Sequence, residues 1–183
     1  CDFYEKTRIM TTSFLRRRWA DGRPTLNALL TIPSPWTAEL MAHAGYDVLT
    51  LDMQHGLIDY ATALGMLQAM APTEIVPMVR LRWNDPSHVM QMLDAGAWGL
   101  ICPMIDTAED VRRFVGACRY PPRGYRSFGP QRARLYSEGD YFQTANEEVL
   151  AFAMGEPAAA VANLDGSAAV AEPDGLFIGP YDF

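Results

Sequence analysis

The chain has 183 residues, 49% of them hydrophobic and 20% charged, which suits one globular domain with a sizeable core and excludes disordered and collagen-like chains. No apolar run approaches the roughly 18 residues of a membrane span, and the N-terminal stretch mixes charges with scattered apolar residues instead of forming a signal-peptide core. A net charge of −7 argues against nucleic acid as a partner, and three cysteines without C-x-x-C spacing argue against a disulfide framework and for a reducing, cytoplasmic compartment.

Alternating short apolar runs and amphipathic stretches follow in order. Residues 26–32 (LNALLTI) read as a strand, and residues 36–44 as a helix closed by Gly45. Residues 47–51 (DVLTL) form a second strand, residues 60–70 a helix, and residues 75–79 (IVPMV) a third strand. Proline at 86 starts a helix that stops before Gly96. Residues 99–102 (GLIC) are a fourth strand, followed by a helix over 108–118 that Thr107 caps, with Asp110 three residues on. Residues 151–154 and 175–178 (GLFI) are the fifth and sixth strands.

Strands that are apolar throughout and alternate with helices predict a parallel sheet covered by helices. Two architectures satisfy this, an open doubly wound sheet and a (β/α)8 barrel. No G-x-G-x-x-G follows a strand, so the barrel is the expectation, as a single domain over residues 1–183 that stops short of its last two β/α units. Two segments break the alternation. Residues 120–140 are rich in Pro, Gly and Arg, too long for a plain connection, and expected to be functional or at an interface. Residues 158–171 are alanine-rich and read as a helix broken at Gly166.

Polar residues fall at successive strand ends. Asp52 and His55 follow the second strand, Arg80 ends the third, Glu156 follows the fifth and Asp182 the sixth. In a parallel β/α protein these ends share one face. Each has an ordinary structural reading alone, as a salt-bridge partner or a carboxylate at a helix start. Together they suit a hard-cation site for Mg²⁺, Mn²⁺ or Co²⁺, in which the metal polarises a carbonyl, Arg80 holds the oxyanion and His55 moves a proton. That is the equipment of a metal-dependent carbon–carbon lyase acting on a 2-oxo acid. The sole lysine, Lys6, lies in the N-terminal segment, which argues against imine chemistry. His43 and His88 read as surface or packing residues, and Cys102 as a small hydrophobe. Seven arginines and no acid between residues 112 and 134 read as a solvated face with an exposed loop, or as a site for an acidic acceptor or a second subunit.

Five segments in this order carry a family likeness: L-D-M-Q-H-G, V-R-L-R-W-N-D-P, L-D-A-G-A-W-G, R-Y-P-P-R-G-Y-R-S and G-L-F-I-G-P-Y-D. From about Leu26 to Phe183 the chain resembles the class II, metal-dependent pyruvate aldolases, such as 4-hydroxy-2-oxoheptanedioate and 2-dehydro-3-deoxyglucarate aldolase. The resemblance implies a (β/α)8 barrel and reversible aldol cleavage of a 4-hydroxy-2-oxo acid to pyruvate and an aldehyde through a metal-stabilised enolate. It implies a divalent metal on Glu156 and Asp182, Arg80 on the pyruvyl oxygen, and His55 in proton transfer with Asp94 orienting it. Asp52 is expected near metal-bound waters, and the backbone of Gly179, Pro180, Tyr181 and Asp182 around the pyruvate carboxylate. A homo-oligomer, a hexamer, is implied as well. Met154 stands where the family often has glutamine, G-E-P replaces an apolar-Glu-small pattern, and Tyr181 replaces a small residue. Two alternatives are a CoA-ester lyase of the citrate lyase or malyl-CoA lyase type and a non-catalytic remnant.

Overall fold

The computed structural model describes residues 12–137, 139–155 and 173–179. Six parallel strands pair in the order of the chain: β1 (Asn27–Leu30), β2 (Val48–Asp52), β3 (Val76–Arg80), β4 (Gly99–Cys102), β5 (Leu150–Gly155) and β6 (Gly175–Ile178). Six helices accompany them: α1 (Thr12–Ala20), α2 (Pro35–Ala42), α3 (Tyr60–Met70), α4 (Pro86–Asp94), α5 (Ala108–Cys118) and α6 (Tyr141–Glu148). A doubly wound sheet needs a point where the strand order reverses, and this sheet has none.

Each crossover steps one strand in the same sense. Right-handed connections therefore deliver the helices to one face, and side-chain alternation follows. Leu49, Leu51, Val79, Leu100, Cys102, Ala151 and Ala153 pack with Ala63, Met66, Met92 and Phe114 of the helices. Val48, Val76, Met78, Ile101, Leu150 and Met154 form a second core on the concave face. Leu15 of α1 is completely buried in that second core, so α1 plugs the end where the strands begin. Glu148 fastens it by accepting from Thr12 Oγ1 at 2.8 Å and Ser13 Oγ at 2.9 Å.

The expectation of a (β/α)8 barrel short of its last two units is corrected by the sheet, which does not close. The sheet is an open, six-stranded arc, a truncated barrel-like fold in which β1 and β6 are edges. Leu29 on one edge strand and Leu176 and Ile178 on the other remain exposed, the surface that ring closure would bury.

Local chemistry accounts for the element boundaries. Ser34, Asp59, Asp85 and Asp140 each accept from a backbone N–H two or three residues on and start α2, α3, α4 and α6. Thr107 and Asp110 form the capping box expected for α5. Two helices escaped the sequence reading. In α1 the run Arg16-Arg17-Arg18 masks buried Leu15 and its half-buried neighbours Phe14 and Trp19, and α6 is polar apart from Tyr141, Phe142 and Ala145. The alanine-rich helix expected over residues 158–171 lies outside the described residues. Among the described residues no helix is long and apolar enough to cross a membrane.

Candidate active site

Strand register builds the centre of the site. Asp52 is the Cα partner of Arg80, so two adjacent strands end on an acid and a base on the concave face. Arg80 clasps Asp52 with two parallel bonds, Nε to Oδ1 at 2.9 Å and Nη2 to Oδ2 at 2.6 Å. Both residues are buried, at 1% exposure for Asp52 and 9% for Arg80. Asp52 Oδ1 also accepts the backbone N–H groups of Gln54 and His55, at 3.1 and 3.2 Å. Burial by itself pushes the Asp52 carboxyl up. The Arg80 hydrogen bonds and charge, with the two amides, outweigh it and hold the group below its ordinary value. The clasp uses Nε and Nη2 and leaves Arg80 Nη1 for an anionic oxygen.

The loop after β2 is shaped around this pair. A Cβ on Gly56 would lie 2.2 Å from the Asp52 carbonyl oxygen and 3.1 Å from Thr31 Cα, so only glycine lets the chain fold back here. Leu57 N–H then donates to Thr31 O at 3.3 Å, tying the loop to the end of β1. His55 sits on this loop, exposed, three residues from Asp52. At the end of β4, Met104 has a left-handed backbone (φ 56°), and Ile105 N–H bonds Met154 O of β5 at 3.1 Å.

Asp94 falls elsewhere. It is the last residue of α4, which runs back towards the starts of the strands, at the end of the sheet opposite to Asp52 and Arg80. There its carboxylate accepts from Arg126 Nη2 at 2.8 Å. Gly179 is buried directly after β6. Glu156, Pro180, Tyr181 and Asp182 lie outside the described residues, although β5 ends at Gly155, the residue before Glu156. Among the described residues no three His, Cys, Asp or Glu side chains group to hold a metal.

The arginine-rich segment divides: Arg112, Arg113, Arg123 and Arg134 are exposed, as expected for a solvated face, and Arg119, Arg126 and Arg132 brace the interior. Arg119 and Arg126 are buried, at 3% and 2% exposure. Arg119 donates to Asp174 Oδ2 at 2.8 Å, Arg16 to Asp174 Oδ1 at 2.6 Å, and Ala151 N–H to Asp174 Oδ2 at 2.7 Å. Arg126 bonds Asp94 and Tyr141 Oη and stacks 4.6 Å from the Tyr120 ring centroid. Arg132 donates to Ala95 O and Leu67 O, at 2.7 and 3.0 Å. Asp174 was not singled out from the sequence. The signal was a block of arginines without acids, which needs carboxylates from elsewhere once it is buried.

A model of the HpcH/HpaI aldolase/citrate lyase family matches residues 30–183. The chain belongs to that family. It is 42% identical over 168 residues to a hydroxypyruvate/pyruvate aldolase of Rhizorhabdus wittichii, covering 92% of this chain and 67% of the relative. It is 40% identical over 164 residues to a 4-hydroxy-2-oxo-heptane-1,7-dioate aldolase of Escherichia coli, covering 88% of this chain and 63% of the relative. The chain thus spans about two thirds of the length of these curated relatives. The crystal structure of an HpcH/HpaI aldolase/citrate lyase family protein from Burkholderia cenocepacia superposes with a TM-score of 0.83 at 35% identity, over 92% of this chain and 69% of that one. Aldolases are carbon–carbon lyases, and these names place the chain among enzymes of that class.

Proposed function

We propose that this HpcH/HpaI family chain carries out reversible aldol cleavage of a 4-hydroxy-2-oxo acid to pyruvate and an aldehyde. The observation that carries the reading is the buried Asp52–Arg80 clasp at adjoining strand ends, in a chain whose relatives are named as pyruvate-linked aldolases. An arginine held on one edge by a carboxylate offers its other edge, already oriented, to the oxygen that gains negative charge as the carbon–carbon bond breaks. Asp52 fixes the guanidinium and keeps it from rotating. His55, on the exposed loop beside it, is the proton carrier: it accepts the 4-hydroxyl proton during cleavage, and the pyruvate methyl is completed by protonation at C3.

The donor chemistry fits a divalent cation. Asp52 is engaged by Arg80 and two backbone amides, so the holding of Mg²⁺, Mn²⁺ or Co²⁺ falls to Glu156, which follows β5, and Asp182, beyond β6. When bound, such a cation polarises the 2-oxo group as a Lewis acid. The backbone from Gly179 through Pro180 and Tyr181 to Asp182 receives the substrate carboxylate. Within one chain Asp94 and His55 sit at opposite ends of the sheet, so Asp94 orients His55 only across a boundary between copies. The reading therefore includes a homo-oligomer, a hexamer by resemblance, working in the cytoplasm on small molecules.

The test is exchange of the pyruvate methyl protons in D₂O, followed by NMR with and without EDTA. It needs no knowledge of the aldehyde. Exchange that stops on chelation and returns with Mg²⁺ or Mn²⁺ is expected, and Arg80→Lys is expected to slow it on the order of 100-fold. A folded protein that exchanges nothing under any of these metals overturns the reading.

A further inference from the structure

A cavity opens on the other side of β2 and β3, between α3 and α4. It measures about 50 Å³ and is lined by Met53, Tyr60, Leu81, Arg82, His88, Gln91 and Met92. A single water needs only roughly 10–15 Å³, so there is room for a small organic group. The lining is divided. Met53, Leu81 and Met92 are buried and form an apolar floor, and Arg82, His88, Gln91 and Tyr60 bring N–H and O–H donors to the rim.

No carboxylate lines this cavity. The nearest acids are the helix caps Asp59, which accepts from Thr62 N–H at 2.8 Å, and Asp85, which accepts from Ser87 N–H and Oγ at 2.8 Å. Both cap the first turns of their own helices, and their charges also act on the rim, Asp59 on Arg82 and Asp85 on His88, without either carboxylate entering the lining. Arg82 spends one N–H on Ile58 O at 3.2 Å and keeps the rest of its fork. The cavity is thus an apolar floor under a cationic, donor-rich rim. The catalytic pair faces the concave side, so the two sites are separated by the sheet, with Met53 and Leu81 following Asp52 and Arg80 directly in sequence.

We propose that this cavity binds a short-chain monocarboxylate, its carboxylate on Arg82 with His88 and Gln91 and its alkyl end on Met53, Leu81 and Met92. The ligand is a compact amphipathic acid and not a bare inorganic anion, because an apolar floor gains nothing from sulfate. The assignment stands apart from the aldolase reading, since binding here involves none of the residues given a catalytic role.

Binding of formate, acetate, propionate and sulfate to the 183-residue chain is measured by calorimetry, with propionate followed in parallel by NMR line broadening. Affinity is expected to rise about fourfold per added methylene from acetate to propionate, with sulfate weakest. Arg82→Gln is expected to weaken propionate about tenfold or more, Arg82→Lys to retain most of the affinity, and Arg80→Lys to leave it unchanged. Circular dichroism establishes that each variant is folded. Equal binding by Arg82→Gln, an affinity that ignores chain length, a loss of propionate binding in Arg80→Lys, or no saturable binding by the parent overturns the assignment.

Discussion

Replacing Asp52 with asparagine keeps the size of the side chain and removes its charge. In the native site the carboxylate receives four hydrogen bonds, two from Arg80 and two from backbone amides. An asparagine oxygen can still accept on one side, but its NH₂ then points at an Arg80 N–H, donor against donor. Arg80 is left as a buried cation with no matching charge. The side chains are 11% and 2% exposed for Arg80 and Asp52, so solvent screens little of the loss. Breaking one partner of a buried pair costs about 3 kcal/mol or slightly more, which for a chain of this size lowers the melting temperature by about 6–12 °C.

The pH dependence has a defined sign. Asp52 titrates below the usual carboxylate value of 3.8 in the folded chain. Its contribution is fully present above that value and is lost as pH falls through the lower folded-state value. The stability gap between parent and Asp52→Asn should therefore be constant from about pH 8 to about pH 5 and narrow below about pH 4. Urea unfolding followed by circular dichroism across this range measures the gap. A cycle that adds Arg80→Gln and the double variant should return a coupling energy above about 1 kcal/mol. A loss below about 1 kcal/mol at neutral pH, or additive single variants, would refute the account of a desolvated, mutually dependent pair.

Gly56→Ala places a methyl on the Asp52 carbonyl oxygen. It should cost about 1–3 kcal/mol and slow pyruvate methyl exchange by moving His55, and unaltered exchange in this variant would separate His55 from the chemistry. Arg126→Met removes a guanidinium that joins Asp94, Tyr141 and the Tyr120 ring. Because Asp94 is 29% exposed and partly screened, the loss should be about 2 kcal/mol, with amide exchange rising across residues 120–141. Protection there equal to the parent's would show that the brace is held by other contacts. Cys102 and Cys118 are buried, and burial pushes the Cys118 thiol up to about 12. Neither thiol should react with a disulfide reagent until the chain unfolds, and native-state modification mapped to either of these two, as distinct from Cys1, would contradict the packing.

Much of the fold was legible because it is written in local signals. Hydrophobic runs bounded by proline, glycine and capping residues located all six strands and helices α2 to α5, several to the residue. The strand-end logic likewise brought out Asp52 and Arg80, whose pairing needs only that β2 and β3 be neighbours in register. What the sequence hid depends on partners far away along the chain. Helix α1 is recognisable only once Leu15 has a sheet to plug. The arginines of residues 112–134 look like a solvated or recognition surface until Asp94 and Asp174 arrive to neutralise the two most buried of them.

The (β/α)8 barrel was not legible in full for a related reason. Each strand announces its own existence, yet whether the sheet becomes a cylinder depends on how many units meet at the seam, and six parallel strands leave two edges. Asp94 shows the same dependence at the level of the site. Its motif, L-D-A-G-A, is a helix ending, and the geometry of a β/α unit sends every such ending to the face opposite the strand C-termini. A role for Asp94 beside His55 therefore demands a second copy, while its bond to Arg126 demands only this one. Comparing Asp94→Asn and Arg126→Met distinguishes the two. A brace alone predicts that both variants lose stability and that neither affects exchange in the folded protein, whereas a site shared between copies predicts that only Asp94→Asn slows exchange, with a shift in its pH profile.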